Sequence, residues 1–331
     1  MMVDLNHELE TAKTIARMAA SLCQNIQTEL VHPAQKNGRE PVTVADYASQ
    51  ALIGHALAEN YPDDGVIAEE RSEEFMLLLS DQHRMLVQRF VTDALGGYVF
   101  EEDVCAWLDF GKQKQAERLW VIDPIDGTKG FLGQRHYCVA IGLLINGEPV
   151  MGVLASPGFY SDMLEENRPS DVGVLTYACQ GCGAYMEPLF GGENAPIHVS
   201  TINDPQEARL LTSYESGHTD LGLIEHVERA LQRSAEAPVL RLDSQDKHAM
   251  IASGLGEVFL RLVPDRAFHE KLWDHTAGYV IVTEAGGRVT DIYGQPLDFS
   301  TGTRFENNRG VLMTNDSIHD LILAAIATSD F

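Results

Sequence analysis

Apolar residues recur at helical spacing from Asn6 to about Leu30, where Leu9, Ala12, Ile15, Ala16, Ala19, Leu22 and Ile26 share one side of a 3.6-residue period. The chain is therefore predicted to open with an amphipathic helix, broken by a loop containing Pro33, Lys36, Asn37, Gly38 and Pro41. A second helical pattern runs from about Val44 to Asn60, with Ala45, Ala48, Leu52, Ala56 and Leu57 on one side, and Pro62 with the Asp63-Asp64-Gly65 turn ends it. Val66-Ile67-Ala68 reads as a short strand that delivers Glu69 and Glu70 at its end. A third helix is predicted over about Ser72 to Leu95, followed by a loop of mixed polarity that reaches Arg118. Strands follow at Leu119–Ile122, Tyr137–Ile145 and Pro149–Ala155, the last two joined by Asn146-Gly147, a two-residue hairpin signal. Ser161 to Asp171 is mostly polar and reads as a loop.

The composition shifts at Glu187-Pro188-Leu189-Phe190-Gly191-Gly192, which predicts a boundary between an N-terminal α+β domain, residues 1–188, and a C-terminal α/β domain, residues 189–331. Beyond it strands are predicted at Ile197–Val199, Leu210–Thr212, Val239–Leu242, Val258–Leu262 and Gly287–Asp291. Helices are predicted from about Leu221 to Ser234, Lys247 to Gly254 and Trp273 to Ala285. That alternation argues for α/β layering.

Hydrophobic residues make up 44% of the 331 and charged residues 22%, ordinary values for a folded globular chain. Twenty-four Lys plus Arg against forty-nine Asp plus Glu leave a formal charge of −25, so the average field repels nucleic-acid backbones and anionic membranes. Polymeric nucleic acid is thereby excluded as a partner, and a small anionic substrate would need locally placed cations or metal ions. No apolar run approaches the roughly 18 residues of a membrane span, and MMVDLNHELETAK carries no apolar signal core, so a cytoplasmic protein, monomeric or homodimeric, is expected. Five sparsely placed cysteines are expected as reduced thiols. The Cys179-x-x-Cys182 pair lacks a second ligand pair for zinc, and YACQGCGAYM reads as two short strands around a Gly-containing turn.

The stretch WVIDPIDGTKGF, residues 120–131, places two aspartates three residues apart after a strand. Alone it would be a solvated turn. Asp123, however, projects from the end of an apolar strand with Pro124 fixing the backbone after it, and Asp126 returns toward the same point. Glu69 and Asp274 can add oxygen ligands from other segments, and hard divalent cations take such sets together with phosphate oxygens. Four gathered carboxylates repel one another unless metal ions neutralise them. Gly127-Thr128, before a helix starting near Lys129, offers backbone N–H groups to a phosphate. The combination points to metal-assisted hydrolysis of a phosphate monoester.

AEE at 68–70, WVIDPIDGTKGF at 120–131 and WDHTAGYVIVTEAGG at 273–287 resemble the signatures of the lithium-sensitive, magnesium-dependent phosphomonoesterases of the inositol monophosphatase superfamily, in matching order from about Val42 to about Leu297. The resemblance implies the layered αβαβα sandwich of the inositol monophosphatase and fructose-1,6-bisphosphatase type, of α+β or α/β class, and two or three bound Mg²⁺ ions. It implies Glu69, Asp123 and the Ile125 carbonyl as ligands of one metal, and Asp123, Asp126 and Asp274 as ligands of the second. It further implies Asp46 and Thr128 as the pair that deprotonates and orients the attacking water, with Gly127 and Thr128 holding the phosphate. From the residues alone Asp46 is a helix-start carboxylate favoured by the dipole.

Lys129-Gly130-Phe131 is similar to the 3′(2′),5′-bisphosphate nucleotidases, as are SGH at 216–218, LDSQDKHAM at 242–250 and EVFLRL at 257–262. This resemblance implies hydrolysis of the 3′-phosphate of 3′-phosphoadenosine 5′-phosphate, or of its sulfated form, to AMP, with His218, Ser244, Lys247 and Arg261 binding the nucleotide. Lys247 and Arg261 are the cations for its 5′-phosphate. Inositol polyphosphate 1-phosphatase or inositol monophosphatase activity is the enzymatic alternative. A non-catalytic nucleotide sensor is disfavoured because Asp46, Thr128 and every ligand position are intact.

Overall fold

The computed structural model describes residues 4–31, 40–112, 116–159, 172–214, 221–234, 236–265 and 267–329. Two long helices, α1 (Asn6–Leu30) and α2 (Glu40–Asn60), lead into β1 (Gly65–Ala68). α3 (Ser72–Leu78), α4 (Asp81–Leu95) and α5 (Glu101–Leu108) cross over to β2 (Arg118–Asp126), and the short α6 (Thr128–Leu132) follows. A meander then forms from β3 (Cys138–Ile145), β4 (Glu148–Ser156), β5 (Val174–Cys179), β6 (Gly183–Pro188) and β7 (Ala195–Ile197). Strands β1 to β7 form one sheet in chain order, parallel only between β1 and β2.

The remaining chain alternates β8 (Leu210–Ser213), α7 (Leu221–Ala230), β9 (Val239–Leu242), α8 (Asp246–Ala252), β10 (Val258–Arg261), α9 (Thr276–Glu284), β11 (Arg288–Thr290), β12 (Val311–Thr314) and α10 (His319–Ala327). Its sheet has the order β11-β12-β10-β8-β9, with β8, β9 and β10 parallel. Helices α1 and α2 cover one face of the first sheet, α8 and α9 lie between the sheets, and α7 with α10 covers the outer face of the second. The result is the expected αβαβα layering.

The first sheet is apolar on both faces because both are covered. In β3, Val139, Ile141 and Leu143 join the core under α1 and α2, while Cys138, Ala140 and Leu144 join the core under α9. Close approach of α9 requires a glycine opposite it: a Cβ on Gly152 would stand 2.2 Å from the Ala277 carbonyl oxygen.

Several expectations change. The helix expected over Ser72–Leu95 is two helices, because Leu79 is extended and the Ser80 hydroxyl accepts from the His83 amide, capping α4. The expected loop to Arg118 contains α5, whose approach is fixed by the Phe100 N–H donating to the Asp103 carboxylate at 2.9 Å. Strand β2 runs on to Asp126, with its register against β3 broken between Asp123 and Asp126, so both aspartates belong to the strand's irregular end. Helix α2 begins at Glu40, which puts Asp46 in its second turn and removes the helix-start explanation. Cys179 and Cys182, expected as thiols, are a disulfide across the β5–β6 turn, where two intervening residues bring their Cα atoms to 5.3 Å; Cys23, Cys105 and Cys138 are free. Among the described residues no helix is long and apolar enough to cross a membrane.

Candidate active site

Three chain ends converge on one cleft of about 270 Å³: the end of β1, the end of β2 with α6, and the turn before α9. Its lining includes Glu69, Asp123, Ile125, Asp126, Gly127, Thr128 and Asp274, which were expected from sequence as separate motifs. Ser244, Lys247 and Arg261 line the same cleft from the second sheet and α8. His218 lies outside the described residues.

Local structure aims each carboxylate. The Asp123 Oδ1 accepts the Ile125 amide at 3.1 Å, which turns the strand sharply at Pro124. Ser49 of α2 donates to the Pro124 carbonyl at 3.0 Å, and Gln50 makes a two-way amide bond to Glu70, donating to its carbonyl at 2.7 Å and accepting its N–H at 2.8 Å. Helix α2 thus pins the two acidic motifs to one another. Asp46, 7% exposed, does not line the cleft; it faces Glu69 and Glu70, and among the described residues its Oδ1 has no hydrogen-bond partner.

The electrostatics follow from that crowding. Burial, then Glu69, Asp126 and Asp274, holds Asp123 well above the usual carboxylate range. Asp126 is pushed up to about 7 by burial and then Asp274, against the pull of Lys247, Arg261 and the Gln245 amide. Asp274 rises to about 6, burial outweighing the Arg261 guanidinium. Glu69 offers surface to the open cleft, yet the protein packed around its carboxyl, then Asp274, Glu70 and Asp126, pushes it up to about 8. Burial and then Glu70 and Glu69 raise Asp46 well above its ordinary value.

The cations are committed unequally. Burial opposes the charge of Arg261, but Glu270 at 2.7 Å and Asp274 at 3.6 Å hold its pKa up. The Lys247 Nζ, lowered by burial, donates to the carbonyls of Leu242 at 3.0 Å and Ser244 at 2.6 Å, leaving one of its three N–H bonds for the cleft. His248 and His275, their ring centroids 5.6 Å apart, are both held well below the imidazole range, first by burial. They line the cleft as neutral rings. Glu270, Asp274 and His275 also gather candidate ligand atoms within 4.8 Å, but Arg261 already pairs with Glu270 there.

Sequence reasoning missed Asp243, Gln245, His248 and His275 as lining residues. Three of them stand inside LDSQDKHAM, so their neighbours were the signal. It also left Arg135 and His136 without a role. Arg135 donates from Nε to Asp243 at 2.9 Å and lies 4.2 Å over the Tyr214 ring, while the buried His136 faces the buried Asp246 at 3.4 Å.

Comparison with known proteins agrees with this geometry. Residues 4–330 match the inositol monophosphatase family. The chain is 37% identical over 336 aligned positions to a 3′(2′),5′-bisphosphate nucleotidase of Oryza sativa, covering 96% of this chain and 93% of that one. A 3′(2′),5′-bisphosphate nucleotidase of Emericella nidulans is 35% identical over 339 positions, with 95% and 96% covered. Among solved structures, an inositol monophosphatase from Anabaena (Nostoc) superposes with a TM-score of 0.62 at 25% identity, covering 98% of this chain and 97% of that one. One from Thermotoga maritima superposes with 0.61 at 22%, covering 96% of each.

Proposed function

This chain belongs to the inositol monophosphatase family, and from that premise we propose that it is a magnesium-dependent phosphatase that removes the 3′-phosphate of 3′-phosphoadenosine 5′-phosphate, leaving AMP. The observation that carries the reading is the convergence of Glu69, Asp123, Asp126 and Asp274 beside Gly127-Thr128 in one cleft.

The donor set suits a hard cation. It is all oxygen, drawn from three segments, and burial, followed by the crowding of neighbouring carboxylates, holds its carboxyls above their ordinary titration range. In this reading Glu69, Asp123 and the Ile125 carbonyl hold one Mg²⁺, and Asp123, Asp126 and Asp274 hold a second, with a third as the upper count. Bound there, the ions supply Lewis-acid polarisation of the phosphoryl group and of water.

The chain's own groups do the rest. Gly127, at φ +91°, and Thr128 line the cleft at the start of α6, and in this reading their amides receive the 3′-phosphate. In this reading Thr128, on the cleft, orients the attacking water, and Asp46, buried behind the cleft wall beside Glu69 and Glu70, is the base that receives its proton by way of the Thr128 hydroxyl. The remaining Lys247 N–H and the Arg261 fork receive the 5′-phosphate, and Ser244, at φ +63°, with His218 holds the nucleoside. The substrate is a small molecule, its sulfated form included, and the proposed setting is a cytoplasmic monomer or homodimer.

Phosphate release in Mg²⁺ from 3′-phosphoadenosine 5′-phosphate, inositol 1,4-bisphosphate and inositol monophosphate tests the proposal. The nucleotide should be hydrolysed with the highest kcat/KM, and Li⁺ should inhibit. Preference for either inositol phosphate would replace the nucleotide reading, and nucleotide binding without hydrolysis of any substrate would mark a sensor.

A further inference from the structure

Gln245 touches both sides of the cleft. It lies on the turn between β9 and α8, is 1% exposed, and beyond the helix-start bonds its carbonyl accepts from His248 and Ala249 it makes three hydrogen bonds to other segments. Its backbone N–H donates to Asp126 Oδ2 at 2.6 Å, a charge-assisted bond that leaves the other oxygen of Asp126 for the cleft. Its side-chain Nε2 donates to the Trp273 carbonyl at 3.0 Å, one residue before Asp274. Its Oε1 accepts the Gly278 N–H at 3.1 Å, a first-turn amide of α9 that has no partner within the helix. One residue thus reaches Asp126 at the end of the first sheet and the backbone that carries Asp274.

The turn that presents Gln245 is held independently. Arg135 pairs with Asp243 on one side of it and His136 faces Asp246 on the other, while Lys247 donates to the Leu242 and Ser244 carbonyls across its base. There is little slack, since a Cβ on Gly127 would stand 3.0 Å from the Ser244 Cβ. A neutral amide suits the position, because a carboxylate would add a fifth acid to the cluster and could not donate to the Trp273 carbonyl.

We propose that Gln245 is a positioning residue that fixes the spacing of Asp126 and Asp274 and so presets the site for its cation. Two like-charged carboxylates on separate elements splay apart unless something holds them, and Gln245 supplies that hold without adding charge. The inference rests on the reading of Asp126 and Asp274 as metal ligands.

The test is Mg²⁺ binding by titration calorimetry to EDTA-stripped full-length protein, with the Mg²⁺ dependence of phosphate release alongside. Gln245→Met keeps the volume but removes both side-chain bonds. Gln245→Asn keeps the amide but falls one methylene short of both partners. In variants shown folded at the assay temperature by circular dichroism, Mg²⁺ affinity should weaken about 10–100-fold, with kcat at saturating Mg²⁺ within a few-fold of wild type. Unchanged Mg²⁺ affinity in either folded variant would overturn the proposal, as would a kcat loss that Mg²⁺ does not restore. A wild-type protein that binds no Mg²⁺ would overturn the metal reading itself.

Discussion

Replacing Asp126 with asparagine should stabilise the metal-free protein while abolishing its activity. The variant keeps the shape of the side chain, and its amide oxygen still accepts the Gln245 N–H, but it removes one of four mutually repelling carboxylates. Asp126 has a folded-state pKa of about 7 against an ordinary value of 3.8. Between about pH 4 and 7 the unfolded chain gives up a proton that the folded chain keeps, so wild-type stability falls as pH rises through that window. A carboxyl held about three pH units high costs about 4 kcal/mol once fully ionised, and partial opening to the cleft screens this to roughly 2–3 kcal/mol.

At about 2 °C per kcal/mol for a chain of this length, Asp126→Asn in EDTA at pH 8 should melt about 4–6 °C above wild type. The difference should vanish near pH 4, where both side chains are neutral. Mg²⁺ at about 1,000 times its dissociation constant should raise wild-type stability by about 4.1 kcal/mol and reverse the order. Differential scanning calorimetry in EDTA and in Mg²⁺ at the two pH values, with phosphate release measured alongside, reads both halves. A variant less stable than wild type in EDTA at pH 8, or one with near-normal phosphate release, would refute the view that this carboxylate is present for the cation at the expense of the fold.

Gly127→Ala should retain its circular dichroism but lose about 100-fold in kcat/KM, since φ +91° and the 3.0 Å approach to Ser244 force the phosphate turn to shift; unchanged kinetics would remove Gly127 from the cradle. Arg261→Met should raise KM for the bisphosphorylated nucleotide far more than for a monophosphate, and equal effects on both would reduce Arg261 to its pairing with Glu270. Thiol titration of unreduced, denatured protein should find three reactive cysteines and five after reduction, whereas five at the outset would contradict the Cys179–Cys182 bond.

The convergence of carboxylates on the cleft was legible because strand ends and motif order announce them: Glu69 after Val66-Ile67-Ala68, Asp123 and Asp126 around Pro124, and Asp274 before an apolar helix. The layering was legible too, from the alternation of strands and helices beyond Gly192 and from the resemblance carried by the three motifs. Gln245 was not, because a neutral amide carries no charge pattern and its role exists only where three distant segments meet. The break at Leu79-Ser80 was hidden because it carries neither glycine nor proline and apolar residues resume at Met85, and α5 by its shortness. Asp46 was read as a helix-start residue because Pro41 was read into the preceding loop, whereas the helix begins at Glu40 and takes Pro41 into its first turn, where proline is tolerated.

The most direct test of the central claim is product analysis by ³¹P NMR after incubating 3′-phosphoadenosine 5′-phosphate with the protein and Mg²⁺ in ¹⁸O-enriched water. The account predicts 5′-AMP and inorganic phosphate carrying the solvent label, with the 5′-phosphate untouched. Adenosine 3′-phosphate as product, label retained in the nucleoside, or no reaction at saturating Mg²⁺ would contradict it.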